Sequence, residues 1–253
     1  MKFYKYQGTG NDFILLDNRT REFDNLDVAK LCNRKFGIGA DGLMLLQNHA
    51  EYDFEMVYYN SDGNISSMCG NGGRCIVAFA KKMKVFDGNK TLFWAIDGLH
   101  EAYIENDFVE LKMIDVNSIQ MIENDYQMNT GSPHYVRFNS SIDHINIIEE
   151  ARKIRYNDVF KENGINVNFV EVKNNNTIKV RTYERGVEDE TLSCGTGVTA
   201  CAIAFNNITN PEINSVNIET PGGLLTVKFE LENSKYSNVW LCGPATFVFE
   251  GEI

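Results

Sequence analysis

The sequence predicts an α/β (α+β) chain built from two similar halves, and three observations carry that prediction. A four-residue pattern, Cys-Gly-x-Gly, occurs twice, at Cys69-Gly70-Asn71-Gly72 and at Cys194-Gly195-Thr196-Gly197, 125 residues apart in a chain of 253. Each copy is followed by a small and apolar stretch of helical character, Gly73 to Ala80 in one case and Val198 to Phe205 in the other. Each copy is also preceded by a strand-like run, Phe54 to Tyr59 and Ile178 to Tyr183, that ends in a polar turn or loop.

The remaining elements repeat in the same order. Near the start of each half, Gly10-Asn11-Asp12-Phe13-Ile14-Leu15 parallels Gly131-Ser132-Pro133-His134-Tyr135-Val136. Beyond the helices, Asp97-Gly98-Leu99 parallels Gly222-Gly223-Leu224, with Gly98 and Gly223 again 125 apart. Phe108 to Leu111 then matches Asn238 to Leu241. Internal repetition on this scale predicts two domains, 1–117 and 118–243, with a join near Asp115 to Gln120. The last stretch, 244–253, reads as a strand returning to the first half. Lys173 to Thr177 reads as a hairpin turn, and the Asn-rich run Asn206 to Pro211 as a loop after the second helix.

Composition narrows the function classes. The net charge is −11 and there is no long basic run, so a phosphate backbone is repelled and nucleic-acid binding is disfavoured. Arg152-Lys153-Ile154-Arg155 stands beside Glu149-Glu150 and reads as a mixed-charge helix face. No stretch approaches the ~20 apolar residues of a membrane-spanning helix. The N-terminal Met1-Lys2-Phe3-Tyr4-Lys5-Tyr6 lacks an apolar core and a cleavage site, which predicts a cytoplasmic address. The six cysteines form no Cys-x-x-Cys pair and are expected to be reduced, with no metal site.

A cysteine just before a helix differs chemically from one inside it. A helix start offers N–H groups without intrahelical partners and a partial positive charge, both of which favour a thiolate. Two such thiols, one ionised and one protonated, suit the inversion of an amino-acid Cα, which needs a base on one face and an acid on the other. Amides from the helix starts are placed to stabilise charge developing on the α-carboxylate. No pyridoxal phosphate is required, and none is expected. A single Cys-Gly-x-Gly is explained better by a small residue at a tight strand-to-helix turn. Two copies in polar surroundings are not: Asn60, Asp62, Asn64 and Asn71 surround one, and Glu184, Arg185, Glu188, Asp189 and Glu190 the other. Cys75 and Cys201 lie among Ile, Val, Ala and Phe and are assigned to the core; Cys32 and Cys242 have no comparable context.

At these residues the chain resembles the diaminopimelate epimerases. The matching segments run from end to end: Gly8 to Phe13, Gly37 to Gly42, Tyr59 to Gly63, Met68 to Cys75, Gly131 to His134, Tyr183 to Gly186, Cys194 to Gly197 and Thr220 to Gly223. The resemblance implies two pseudo-symmetric domains, each a curved mixed sheet wrapped around a central helix, with a substrate cleft between them. It implies interconversion of L,L- and meso-2,6-diaminopimelate, a step toward lysine and peptidoglycan, by a homodimer. It implies Cys69 and Cys194 as the catalytic pair. Gly70, Asn71, Gly195 and Thr196 are implied to hold the reacting α-carboxylate through their amides. Asn11, Asn60, Asn166 and Arg185 are implied to hold the substrate, and His134 and Glu184 to tune the thiols or orient the substrate. For His134 a purely structural imidazole is an equal alternative, while His49, His100 and His144 are expected at the surface. Two residues depart from the family pattern: Ser132 where many members have Asn, and Gly42 where many have Gln. The alternatives are a proline or hydroxyproline racemase on the same fold and a non-catalytic thiol- or metal-binding protein.

Overall fold

The computed structural model describes residues 1–66, 68–209 and 212–253. The chain divides into two compact units, one comprising Met1–Leu111 with Gly243–Ile253 and the other Lys112–Cys242. In the first unit the elements run β1 (Lys2–Gly8), β2 (Asn11–Asp17), α1 (Val28–Cys32), β3 (Gly42–Gln47), β4 (Phe54–Asn60), α2 (Gly70–Lys82), β5 (Lys90–Ala95), β6 (Gly98–Glu105) and β7 (Phe108–Lys112). In the second they run β8 (Gln120–Ile122), β9 (Asp125–Asn129), β10 (Pro133–Asn139), α3 (Ile147–Arg155), β11 (Asn166–Asn174), β12 (Thr177–Glu184), β13 (Asp189–Thr191), α4 (Gly195–Ile208), β14 (Ser215–Thr220), β15 (Gly223–Glu232) and β16 (Lys235–Pro244). The last strand, β17 (Thr246–Glu252), pairs antiparallel with β1, from Lys2 opposite Glu252 to Gln7 opposite Thr246.

The pairing pattern is the same in both units. β2 is antiparallel to β1 and parallel to β3; β10 is antiparallel to β9 and parallel to β11. β4 is antiparallel to β3 and parallel to β5; β12 is antiparallel to β11 and parallel to β14. The antiparallel β5–β6–β7 meander corresponds to β14–β15–β16. This is the mixed α+β repeat expected from the sequence, sheet-dominated and with one long helix per unit.

That helix is enclosed by its sheet. α2 packs on β1, β2, β3 and β6, and α4 on β9 to β12, β14 and β15. Every residue from Gly70 to Ala80 is buried in α2, as is every residue from Gly197 to Asn206 in α4. A helix buried all round has no polar face, which explains why these segments are mostly small and apolar, with Asn71, Arg74, Thr199 and Asn206 as the buried polar exceptions. Glycines stand where neighbouring side chains come close. A Cβ on Gly73 would fall 2.2 Å from Met68 Cε, and one on Gly197 2.6 Å from Asn168 Oδ1. α3, by contrast, lies on the outside. It is capped by Asn146, whose Oδ1 accepts from Glu149 N, and it buries one stripe of Ile147, Ala151 and Ile154 while Arg152, Lys153 and Arg155 fill its last turn.

Two sequence expectations need correction. The run read as a loop from Asn206 is helical to Ile208, while Asn210 and Pro211 lie outside the described residues. Asn206 is fully buried, donates to the Ile213 carbonyl at 2.9 Å and accepts from the Tyr236 hydroxyl at 2.8 Å. These tertiary hydrogen bonds override the weak helix propensity of asparagine. His49 and His100 are half-buried rather than on the surface: His49 stacks on Tyr52 and Trp94, and His100 on Phe93. Replacing Asn206 with Ala leaves the Tyr236 hydroxyl and the Ile213 carbonyl without this partner. Urea unfolding of Asn206→Ala is expected to show a loss of about 1–3 kcal/mol.

Candidate active site

Cys69 is the residue before α2, and Cys194 is the residue before α4. Both have extended backbone, with φ and ψ of −109° and 126° at Cys69 and −119° and 112° at Cys194. Their carbonyls already accept the first helical hydrogen bonds, from Gly73 N at 2.7 Å and Val198 N at 2.9 Å. Neither sulfur caps its own helix. The first turns therefore present backbone amides together with a thiol, the arrangement that favours anion binding and a reactive sulfur.

The other thiols are different. Burial pushes Cys75 up to about 12 and Cys32 up to about 11, and raises Cys201 well above the usual thiol range. These three stay protonated at neutral pH, in agreement with a core role for Cys75 and Cys201.

In the first unit, Cys69 Sγ is 3.6 Å from Asn11 Oδ1, which also receives Asn71 Nδ2 at 3.4 Å. Asn11 Nδ2 donates to Asp41 Oδ2 at 2.7 Å. Behind them lies an ion-pair network. Arg34 grips both oxygens of Asp12, at 3.0 and 2.6 Å, and reaches Asp41 Oδ1 at 2.7 Å; Lys5 Nζ meets Asp12 Oδ2 at 2.7 Å and the Gly39 carbonyl. Burial tends to raise the Asp12 carboxyl, but hydrogen bonds from Arg34 and Lys5 outweigh it and hold the group well below the usual range. Arg74, fully buried in α2, is satisfied by Thr9 Oγ1, Asn71 Oδ1 and the carbonyls of Gly70 and Pro244 at 3.2–3.4 Å. Asn60 ends β4, half-buried, opposite Gly42 in the strand register. Gly42 leaves no room for the longer residue common in the resembling family: a Cβ there would lie 2.5 Å from Tyr58 Cε2 and 2.7 Å from the Tyr59 carbonyl.

In the second unit, Cys194 Sγ is 3.5 Å from Thr196 Oγ1, which is 2.8 Å from His134 Nε2. His134 is fully buried, and its other nitrogen is 3.2 Å from Asn168 Nδ2. Burial, followed by the charge of Arg185, pushes the imidazole down to about 3, so it is neutral at physiological pH. The imidazole is thus both well satisfied and within one hydroxyl of the cysteine. A second cluster joins Asn166, Ser132 and Arg185. Asn166 Nδ2 donates to Ser132 Oγ at 2.9 Å and to the Pro133 carbonyl at 3.0 Å, while its Oδ1 accepts from Arg185 N at 2.9 Å. Arg185 Nη1 donates to the Asn163 carbonyl at 2.9 Å and Nη2 lies 3.5 Å from Ser132 Oγ, so the serine that departs from the family pattern still takes part in this cluster. Glu184 closes β12 opposite Asp189.

Sequence reasoning missed Asp41, Arg34 and Asn168 as parts of these arrangements. A signal existed for Asn168. In a strand, residues two apart share a face, and Asn166-Val167-Asn168 places two asparagines on the face that carries His134 in the adjacent register.

The sequence model of the diaminopimelate epimerase family matches residues 3–118 and 126–248. A curated diaminopimelate epimerase from Flavobacterium psychrophilum is 54% identical across 100% of both chains. One from Campylobacter jejuni is 42% identical, covering 99% of this chain and 98% of its own. Among solved structures, a phenazine biosynthesis protein of the PhzF family from Bacillus anthracis superposes with a TM-score of 0.78 at 12% identity, covering 100% of this chain and 98% of that one. A hydroxyproline epimerase from Agrobacterium vitis does so with a TM-score of 0.69 at 13% identity, covering 100% and 90%. Identities this low mark a common fold and nothing finer.

The depressed His134 imidazole has a consequence for stability. Below its ordinary value of 6.5 the unfolded chain takes up a proton that the folded chain refuses until about 3. The contribution is therefore complete above 6.5 and is lost as pH falls toward 3, with a slope of about 1.4 kcal/mol per pH unit. Urea unfolding from neutral pH down to about pH 5 is expected to show a shallower acid loss for His134→Gln than for the wild type.

Proposed function

The chain belongs to the diaminopimelate epimerase family, and from that footing we propose that Cys69 and Cys194 invert one Cα of 2,6-diaminopimelate, interconverting its L,L and meso forms. The activity serves lysine and peptidoglycan-precursor synthesis. The observation that carries the proposal is a thiol immediately before each of two buried helices, in repeats of identical strand pairing.

The chemistry balances with two sulfurs. One thiolate takes the Cα proton while the other thiol delivers its own proton to the opposite face of the carbanion. The product has inverted configuration, and the two sulfurs have exchanged protonation states, which lets the same site run the reverse reaction. Charge that develops on the α-carboxylate is stabilised by amides at the two helix starts, those of Gly70, Asn71, Gly195 and Thr196. The thiols carry both proton transfers, so the scheme requires no pyridoxal phosphate and no metal. The far end of the substrate carries an ammonium and a carboxylate. Asn11, Asn60 and Asn166 supply donors and acceptors for it, Glu184 accepts from the ammonium, and Arg185 grips the carboxylate. His134 acts through Thr196 rather than on the substrate.

The proposal includes a cytoplasmic homodimer, supported by the family resemblance. Among the described residues no helix is long and apolar enough to cross a membrane. A proline-type racemase has only the fold in its favour, and it leaves the adjacent Glu184 and Arg185 without a charged substrate end to bind. A non-catalytic thiol protein leaves the duplicated Cys-Gly-x-Gly unexplained.

Purified protein with L,L-diaminopimelate in D₂O, followed by proton NMR without added cofactor, is expected to yield the meso isomer with deuterium at Cα. Cys69→Ala and Cys194→Ala are each expected to lose at least ~10³-fold in kcat while keeping the wild-type unfolding midpoint. Substantial epimerisation by either variant contradicts the two-sulfur scheme. No exchange by the folded, reduced wild type contradicts the substrate.

A further inference from the structure

A two-base epimerase needs one sulfur ionised and one protonated before substrate arrives, and two cysteines do not by themselves decide which is which. Their hydrogen-bonded surroundings do. In the second unit the order begins at the Tyr135 carbonyl, which can only accept. Asn168 Nδ2 donates to it at 2.9 Å, and Thr182 Oγ1 donates to Asn168 Oδ1 at 2.9 Å, so the carboxamide has a single orientation. The same Nδ2 faces His134 Nδ1 at 3.2 Å. A donor at that position requires a bare Nδ1, and the one proton of the neutral ring then sits on Nε2. That N–H donates to Thr196 Oγ1 at 2.8 Å. The threonine hydroxyl accepts from the ring and has its own proton to give, and Cys194 Sγ is 3.5 Å away. The relay therefore ends in a hydroxyl able to donate to the sulfur, which accommodates a thiolate.

The first unit runs the other way. The Asp41 carboxylate can only accept, and it is held at Oδ1 by Arg34 Nη2 at 2.7 Å. Asn11 must therefore turn its Nδ2 toward Asp41 Oδ2, at 2.7 Å, which aims its Oδ1 at Cys69 Sγ, at 3.6 Å. The Asn71 amide donating to the same Oδ1 agrees with that orientation. This relay ends in an acceptor, which favours the protonated thiol.

We propose that the free enzyme rests with Cys194 as the thiolate and Cys69 as the thiol, and that Asn168 and Asp41 are the positioning residues that set this polarity. The proposal rests on the two-cysteine reading above. Its consequence is that the resting enzyme is primed for the epimer whose Cα proton faces Cys194. After one turnover Cys194 holds that proton and Cys69 is ionised, and exchange of a proton with solvent at each sulfur restores the resting form. Among the described residues, the charged and titratable groups near Cys69 include Arg74 and Cys75 on α2, with Asp41, Asp12, Arg34 and Lys5 behind Asn11. Near Cys194 they include His134 on β10, Cys201 on α4 and, acting on His134, Arg185 beside Glu184.

The test is the pH profile of iodoacetamide labelling of the full-length protein, resolved cysteine by cysteine by peptide mass mapping, with epimerase activity measured on the same preparation. Cys194 is expected to titrate about one pH unit or more below Cys69, a tenfold difference in ionisation. Thr196→Val, which removes the donor, moves the Cys194 profile upward, and Thr196→Ser restores it. Asp41→Ala removes the acceptor that fixes Asn11 Nδ2, so Asn11 Oδ1 is no longer held at Cys69 Sγ. The Cys69 profile then moves downward while that of Cys194 stays in place. A purely structural role for Asp41 lowers stability and moves neither profile, which overturns its assignment. Active enzyme in which Cys69 titrates at or below Cys194 overturns the polarity. Predicted profiles in a protein inactive on diaminopimelate support the polarity and reject the substrate.

Discussion

Enclosure of one helix in each unit is the constraint on which the rest of the structure depends. A helix surrounded by its own sheet must be narrow, small and apolar, and the close approaches at Gly73 and Gly197 show how little space is left. Any polar group inside must be fully paired, as buried Arg74 is by four oxygen partners. Enclosure also separates the cysteines by chemistry. Cys75 and Cys201 sit one or two turns inside the helices, where burial keeps them protonated. Cys69 and Cys194 sit just before the first turn, where polar side chains and backbone amides come together.

Duplication repeated the backbone and left the side chains to diverge. The two units share strand order, pairing sense, the position of the buried helix and the cysteine before it. They differ in what meets the sulfur. One has a carboxamide anchored by an acid and an arginine; the other has a hydroxyl anchored by a neutral, buried imidazole. Symmetric geometry suits an inversion, in which both faces of a carbon must be served alike. Chemical asymmetry suits a resting enzyme, in which the two thiols must differ by one proton.

Much of this was legible in the sequence because it depends on local rules. Repetition at an offset of 125 exposed the two units, and composition placed Cys75 and Cys201 in the core, where both are fully buried. The helices themselves followed from the small and apolar stretches after Cys-Gly-x-Gly, although they begin within the motif, at Gly70 and Gly195. What escaped depends on long-range contacts. The last turn of α4 is held by Tyr236 and Ile213, residues distant from or beyond the helix, so the local asparagine signal misled. Asn168 acts through a parallel neighbour 34 residues away, and Asp41 through an arginine and an asparagine on different segments. Ser132, Asn166 and Arg185 were named through the resemblance, but their mutual contacts escaped local rules, because they form only when β11 and the loop after β12 reach the Ser132 turn.

The central claim is that two different groups handle the proton, one on each face of Cα. The most direct measurement is the isotope content of substrate and product during the first few per cent of reaction in D₂O. With two bases, the abstracted proton stays on one sulfur while the other delivers deuterium. The inverted product should then carry solvent deuterium from the outset, while recovered substrate remains unlabelled. Product that retains the original proton at early times would mean that a single group removes it and returns it, and would contradict the account.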